Sequence, residues 1–171
     1  MTSIRRKVDV VFCVDVSMSM QNCLNDIKGF ILSFWPELEE HYSYRHKNIS
    51  SIRVKIVLFN ESNDDSKIRE SGFYDLNCVE DMKGFISQVE SMSSNRNIYD
   101  MNSALKALSC AIQSNWSEPN NGFVGSIRRH VIIFFTCGAS DRNNGIVQLQ
   151  EFQSNSIDRL TDLWEHDSST H

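Results

Sequence analysis

The strongest constraint in this sequence is a near-continuous apolar run, Val8–Val14, rich in β-branched residues and followed at once by a polar turn and an amphipathic stretch. A strand that is apolar on both sides must be covered on both faces, which is the condition of a strand inside a parallel sheet. Residues 52–59 (IRVKIVLF) and 131–135 (VIIFF) repeat the pattern, the former opening with alternation. Helical stripes separate these runs. Met20, Leu24, Ile27, Ile31, Phe34 and Leu38 recur at three- and four-residue steps, with Pro36 expected to bend or end the helix. Met82, Phe85, Ile86, Val89 and Met92 form a second stripe, and Met101, Ala104, Leu105, Leu108, Ile112 and Trp116 a third. Residues 72–76 (GFYDL) fit a short extra strand, entered through a polar loop over 60–70. Ile146, Leu149, Phe152, Ile157, Leu160 and Trp164 suggest a C-terminal helix. Strands alternating with amphipathic helices define an α/β, Rossmann-like domain with a mostly parallel sheet and helices on both faces.

Composition narrows the function classes. With 171 residues the expectation is one domain, 1–171, and no linker or internal repeat divides it. The chain carries 17 Lys and Arg against 22 Asp and Glu, a net charge of −5, which speaks against a phosphate-wrapping nucleic-acid binder. Arg5-Arg6-Lys7 and Arg128-Arg129-His130 each precede an apolar strand and read as solvated strand entrances. No apolar run reaches the ~18 residues of a membrane helix. The first twenty residues superficially resemble a secretory signal, but Asp9 and Asp15 interrupt the apolar stretch, so they read as a strand of the mature protein. The 5 cysteines are widely spaced, with no CxxC pair, as expected of reduced thiols in a cytoplasmic protein.

In open α/β sheets, ligands gather at the carboxyl ends of the strands, so the residues after Val14, Phe59 and Phe135 are where chemistry is expected. After the first strand stands Asp15-Val16-Ser17-Met18-Ser19: three oxygen-bearing side chains at alternate positions of one tight loop. A carboxylate and two hydroxyls can supply one side of an octahedral Mg²⁺ shell. The competing reading makes Ser17 and Ser19 caps for the following helix and Asp15 an acceptor for loop amides.

This motif, together with the order of elements through NIYDMNSALKALSCAI and HVIIFFTCG, resembles the von Willebrand factor A domain family, most closely over 7–141, with 142–171 as an added helical segment. In style it is similar to stand-alone bacterial members grouped with tellurite-resistance proteins. The resemblance implies a non-enzymatic protein-interaction module, an adaptor in bacterial stress or defence signalling. It also implies a Mg²⁺- or Mn²⁺-dependent adhesion-type site at Asp15, Ser17 and Ser19, completed by an acidic side chain of a protein partner. Two loops depart from the family pattern. Asn97-Ile98-Tyr99-Asp100 stands where the family places a threonine, and Thr136-Cys137-Gly138 where it places an aspartate. Asp100 and Asp141 are the residues that would compensate, and weaker metal binding than at a complete site is expected. The family's usual six strands are also not all visible, and the last ones are expected to be missing. Val131–Phe135 then becomes an apolar edge for the C-terminal helix or a second copy of the chain to cover.

Two alternatives remain. One is a metal-free module assembling through that edge, the other a metal-dependent phosphate-ester or nucleotide-processing enzyme. Neither GxGxxG nor a Walker lysine motif is present. A thiol nucleophile is disfavoured because Cys13 lies mid-strand, while Cys137 and His130 sit at opposite ends of one strand, about 20 Å apart.

Overall fold

The computed structural model describes residues 5–44, 49–60, 68–95, 101–117 and 126–136. Five strands, β1 (Arg5–Asp15), β2 (Ile49–Phe59), β3 (Arg69–Glu70), β4 (Tyr74–Asp75) and β5 (Ser126–Phe135), form one sheet. Three helices, α1 (Leu24–Tyr44), α2 (Val79–Ser91) and α3 (Met101–Ile112), cover it. β1 pairs in parallel with β2 on one side and with β5 on the other, while the two-residue strands β3 and β4 pair antiparallel with β2. The fold is the mostly parallel, Rossmann-like α/β architecture expected.

Successive residues of β1 and β2 feed two separate cores, as a strand's period of two requires. Val10, Phe12, Val14, Val54, Ile56 and Leu58 pack with Ile27 and Ile31 of α1 and Phe85 and Val89 of α2. On the other face Val11, Cys13, Val57 and Phe59 meet Ala104, Ala107 and Ala111 of α3. These alanines, at steps of three and four, put small methyl groups at the seam between helix and sheet, with Cys110 packed beside them. The Cys13 thiol accordingly reaches the Ala107 carbonyl at 3.9 Å.

Several local expectations change. α1 runs through Pro36 to Tyr44. Pro36 is exposed, so water can satisfy the carbonyl that its missing N–H leaves behind. Tyr42 and Tyr44 lie in the last turn of α1. β3 forms inside the stretch expected to be loop, and the extra strand contracts to Tyr74–Asp75. Trp116 lies beyond α3 and folds back, its indole N–H donating to the Ile112 carbonyl at 2.9 Å. His130 is not a solvated strand entrance: its ring is half-buried and stacks on Trp116 with centroids 4.9 Å apart. Among the described residues β5 pairs with β1 alone. The expected C-terminal helix falls outside them.

The sheet's lower half, on the α3 face, carries charge. Asp9 is buried at the start of β1 and accepts from Arg53 Nε at 3.0 Å and Nη2 at 2.6 Å, and from the Ser117 amide at 2.7 Å. Arg53 lies over the Phe73 ring, 4.6 Å from its centroid. Burial alone would push the Asp9 carboxyl up, but the bonds from Arg53 and Ser117 outweigh it and hold it below its ordinary value. Lys55, also buried, pairs with Glu70 of β3 at 2.6 Å and donates to Ser114 Oγ at 3.0 Å. These bonds tie the chain just after α3 to the sheet.

Candidate functional site

Strand register determines what can meet at the carboxyl end of the sheet. Asp15 lies opposite Phe59, and Val14 opposite Phe135, so the residues leaving β2 and β5 flank the one that ends β1. Because β2 and β5 lie on opposite sides of β1, this is a point where the chain's connections diverge, the usual place for a crevice in such sheets.

Asp15 is fully buried there. Its Oδ1 accepts from the Ser17 amide at 2.9 Å and from Asn60 Nδ2 at 3.0 Å, and its Oδ2 from Thr136 Oγ1 at 3.3 Å. The loop after β1 and the two flanking strand ends, of β2 and β5, thus each contribute to holding one carboxylate. Asn60 adopts a φ of 61°, a left-handed conformation that asparagine tolerates better than most residues. The loop after α2 is stitched in as well: the Asn95 amide donates to the Val16 carbonyl at 2.9 Å, and Asn95 Nδ2 to the Asn60 carbonyl at 2.6 Å.

The serines follow neither reading entirely. Ser17 occupies the N-cap position of a short 3₁₀ turn, Met18–Met20, but its side chain makes no capping bond. Instead Ser17 Oγ and Ser19 Oγ lie 2.8 Å apart, Ser17 buried and Ser19 exposed. Asp15 does serve a loop amide, as the capping reading anticipated for that residue. An octahedral Mg²⁺ shell with bonds of about 2.1 Å has neighbouring oxygens about 3 Å apart, so the hydroxyl separation suits adjacent ligands. One carboxylate and two hydroxyls are a hard, all-oxygen donor set of the kind such a cation takes. Among the described residues no three His, Cys, Asp or Glu side chains gather to hold a metal. A cation here would depend on hydroxyls.

Of the sequence-derived site residues, Asp15, Ser17 and Ser19 come together, while Asp100 and Asp141 lie outside the described residues, as do Tyr99 and Cys137. Thr136 and Asn60 stand where chemistry was expected, directly after Phe135 and Phe59, but were not named as site residues. The available signal was position alone: each is the first polar residue after a buried strand. Cys13 is sealed under α3, and burial pushes its thiol up to about 12, the opposite of an activated nucleophile.

An open, mostly parallel sheet with a hydroxyl-rich loop where its connections diverge defines a Rossmann-like α/β domain. The family model for the von Willebrand factor type A domain matches residues 9–161, and the chain belongs to that family. Among solved structures, the pilus adhesin SpaC from Lactobacillus rhamnosus GG, in its open conformation, is similar. Its TM-score is 0.55 at 12% sequence identity, over 78% of this chain and 15% of the adhesin chain. At that identity the likeness concerns the fold, and this chain corresponds to a small part of the adhesin's length. No curated protein matches the chain. Among the described residues no helix is long and apolar enough to cross a membrane.

Proposed function

We propose that this domain is a non-enzymatic interaction module that binds a protein partner through a divalent cation, Mg²⁺ or Mn²⁺, held by Asp15, Ser17 and Ser19. The observation that carries this reading is the pair of serine hydroxyls 2.8 Å apart in the loop that follows a buried carboxylate, the Ser17 side chain making no capping bond. When bound, the cation would supply an open coordination position for an acidic side chain of the partner. Asp15 holds the negative charge of the site, and Asn60 and Thr136 fix its orientation. Asp100 and Asp141 remain the proposed outer ligands. The finer assignment, a cytoplasmic adaptor in bacterial stress or defence signalling, rests on the resemblance to tellurite-resistance-associated members. Self-association through the Val131–Phe135 edge belongs to the same reading.

One observation favours a metal-free module instead: both Asp15 oxygens already accept hydrogen bonds from the chain itself. Thermal unfolding separates the two. Magnesium at ten times its dissociation constant stabilises by about 1.4 kcal/mol, a rise of about 3–6 °C in Tm, and Ser19→Ala and Asp15→Asn should each abolish that rise. No rise at millimolar Mg²⁺ or Mn²⁺ favours the metal-free module. Turnover of a phosphate ester that disappears in Asp15→Asn would overturn the non-enzymatic reading.

A further inference from the structure

The basic segments that open β1 and β5 are far apart in the chain but adjacent in the sheet. Register sets Lys7 directly opposite Arg128. By the strand's period of two, both lie on the face that Val11, Cys13, Ile132 and Phe134 share with α3. Adjacent strands lie about 4.8 Å apart, so two cations stand side by side, an arrangement that is destabilising in itself. Both side chains are half-buried. Among the described residues neither makes an ion pair or a side-chain hydrogen bond, and Arg128 Nε is enclosed without an acceptor.

The acids close by do not supply the missing charge. Asp9, two residues along β1 on the same face, is taken up by Arg53 and the Ser117 amide. Asp75 lies opposite Arg53 on β4, two strands from Lys7 and three from Arg128. Those spacings amount to about 10 Å and about 14 Å, beyond the screening length of about 8 Å at physiological salt. The stretches outside the described residues that lead into these strands, 1–4, 45–48 and 118–125, contain Arg45, His46 and Lys47 against Glu118, so their sequence adds positive charge. A ligand that relieves two neighbouring cations carries two negative charges on one cluster of oxygens. A phosphate monoester does so, whereas a carboxylate carries one. A long polyanion is disfavoured by the net charge of −5.

We propose that Lys7 and Arg128 form an oxyanion site for a phosphate monoester, at the end of the sheet opposite Asp15 and independent of any cation there. The test uses ¹⁵N-labelled protein in EDTA, which separates its outcome from that of the cation reading. It follows the arginine Nε–H signals, the Arg128 signal being identified by its loss in Arg128→Gln. Inorganic phosphate and acetyl-Gly-phosphoserine-Gly-amide are titrated beside acetyl-Gly-Glu-Gly-amide. Both phosphates should shift the Arg128 signal, the glutamate peptide should bind about fivefold more weakly, and Lys7→Met should weaken phosphate binding about tenfold. Tighter binding of the phosphoserine peptide would make the ligand a phosphorylated chain, and tighter binding of inorganic phosphate a small phosphate compound; either result supports the site. Without phosphate, Lys7→Met keeps the aliphatic stem and removes a repulsion, so its Tm should equal or exceed that of the wild type. A lower Tm would show that Lys7 already has a stabilising partner and would overturn the proposal. So would an Arg128 signal that phosphate leaves unmoved, equal binding of the glutamate peptide, or undiminished phosphate binding in Lys7→Met.

Discussion

Asn60 Nδ2 donates to Asp15 Oδ1 across 3.0 Å from a backbone held in the left-handed region, so one residue's conformation and side chain both serve the site. The two roles separate by substitution. Asn60→Gly keeps the backbone accessible and loses the bond to Asp15, at a cost of about 1 kcal/mol. Asn60→Ala loses both and should cost about 1–2 kcal/mol more. Urea unfolding should show the midpoint falling in that order with an unchanged slope. Equal midpoints for the two variants would mean that the left-handed backbone carries no strain that glycine relieves.

At the opposite end of the sheet, Asp9 and Arg53 form a two-pronged ion pair whose carboxylate is buried and whose guanidinium is about a quarter exposed. Asp9→Ala leaves that guanidinium without its carboxylate, holding only the Asn115 carbonyl at 3.3 Å, and should cost about 2–3 kcal/mol, whereas the joint replacement Asp9→Leu with Arg53→Met should cost less than the single change. The pH dependence follows from the direction of the shift. Because the folded carboxyl lies below its ordinary value, its contribution is complete above the unfolded value near 4 and is lost as pH falls through the folded value. Asp9→Asn should therefore flatten the acid limb of the stability curve. An unchanged acid limb would show that other carboxylates dominate it.

How much of this was legible in the sequence follows from the range of each interaction. β1, β2 and β5 announce themselves because strands covered on both faces must be apolar at consecutive positions. The Asp-x-Ser-x-Ser loop is legible because all three side chains lie within five residues. β3 was not, because Arg69 and Glu70 carry no strand pattern. They pair with β2 at Val57 and Leu58 and are anchored by the Lys55–Glu70 ion pair, contacts that exist only after folding. Asp9 appeared only as an interruption in an apolar run, because its partner lies 44 positions away. Pro36 misled for a different reason: a proline breaks a buried helix, but on an exposed face water offsets the lost bond.

The alanine seam of α3 sets how closely that helix approaches β1. Ala107 is fully buried and its carbonyl meets the Cys13 thiol. Ala107→Leu would force three extra carbons into this contact and should destabilise by about 1–3 kcal/mol. Lys106→Ala, on the neighbouring exposed position of the same helix, should change stability by less than about 0.5 kcal/mol. Similar losses for both would mean that α3 is not pressed against the sheet at Ala107.

Cys13 and Cys78 give the complementary test of what lies open. Cys13 is buried under α3 with its thiol pushed up to about 12, so at pH 8 roughly one molecule in ten thousand carries the thiolate. Cys78, just before α2, is exposed. Iodoacetamide at pH 8 followed by peptide mass mapping should label Cys78 within minutes and Cys13 only as fast as the protein opens. Urea should abolish the difference, because unfolding removes the burial that suppresses the Cys13 thiolate. Rapid labelling of Cys13 in the folded protein would instead mean that α3 lifts readily from the sheet, and would restore a thiol to the list of groups able to react.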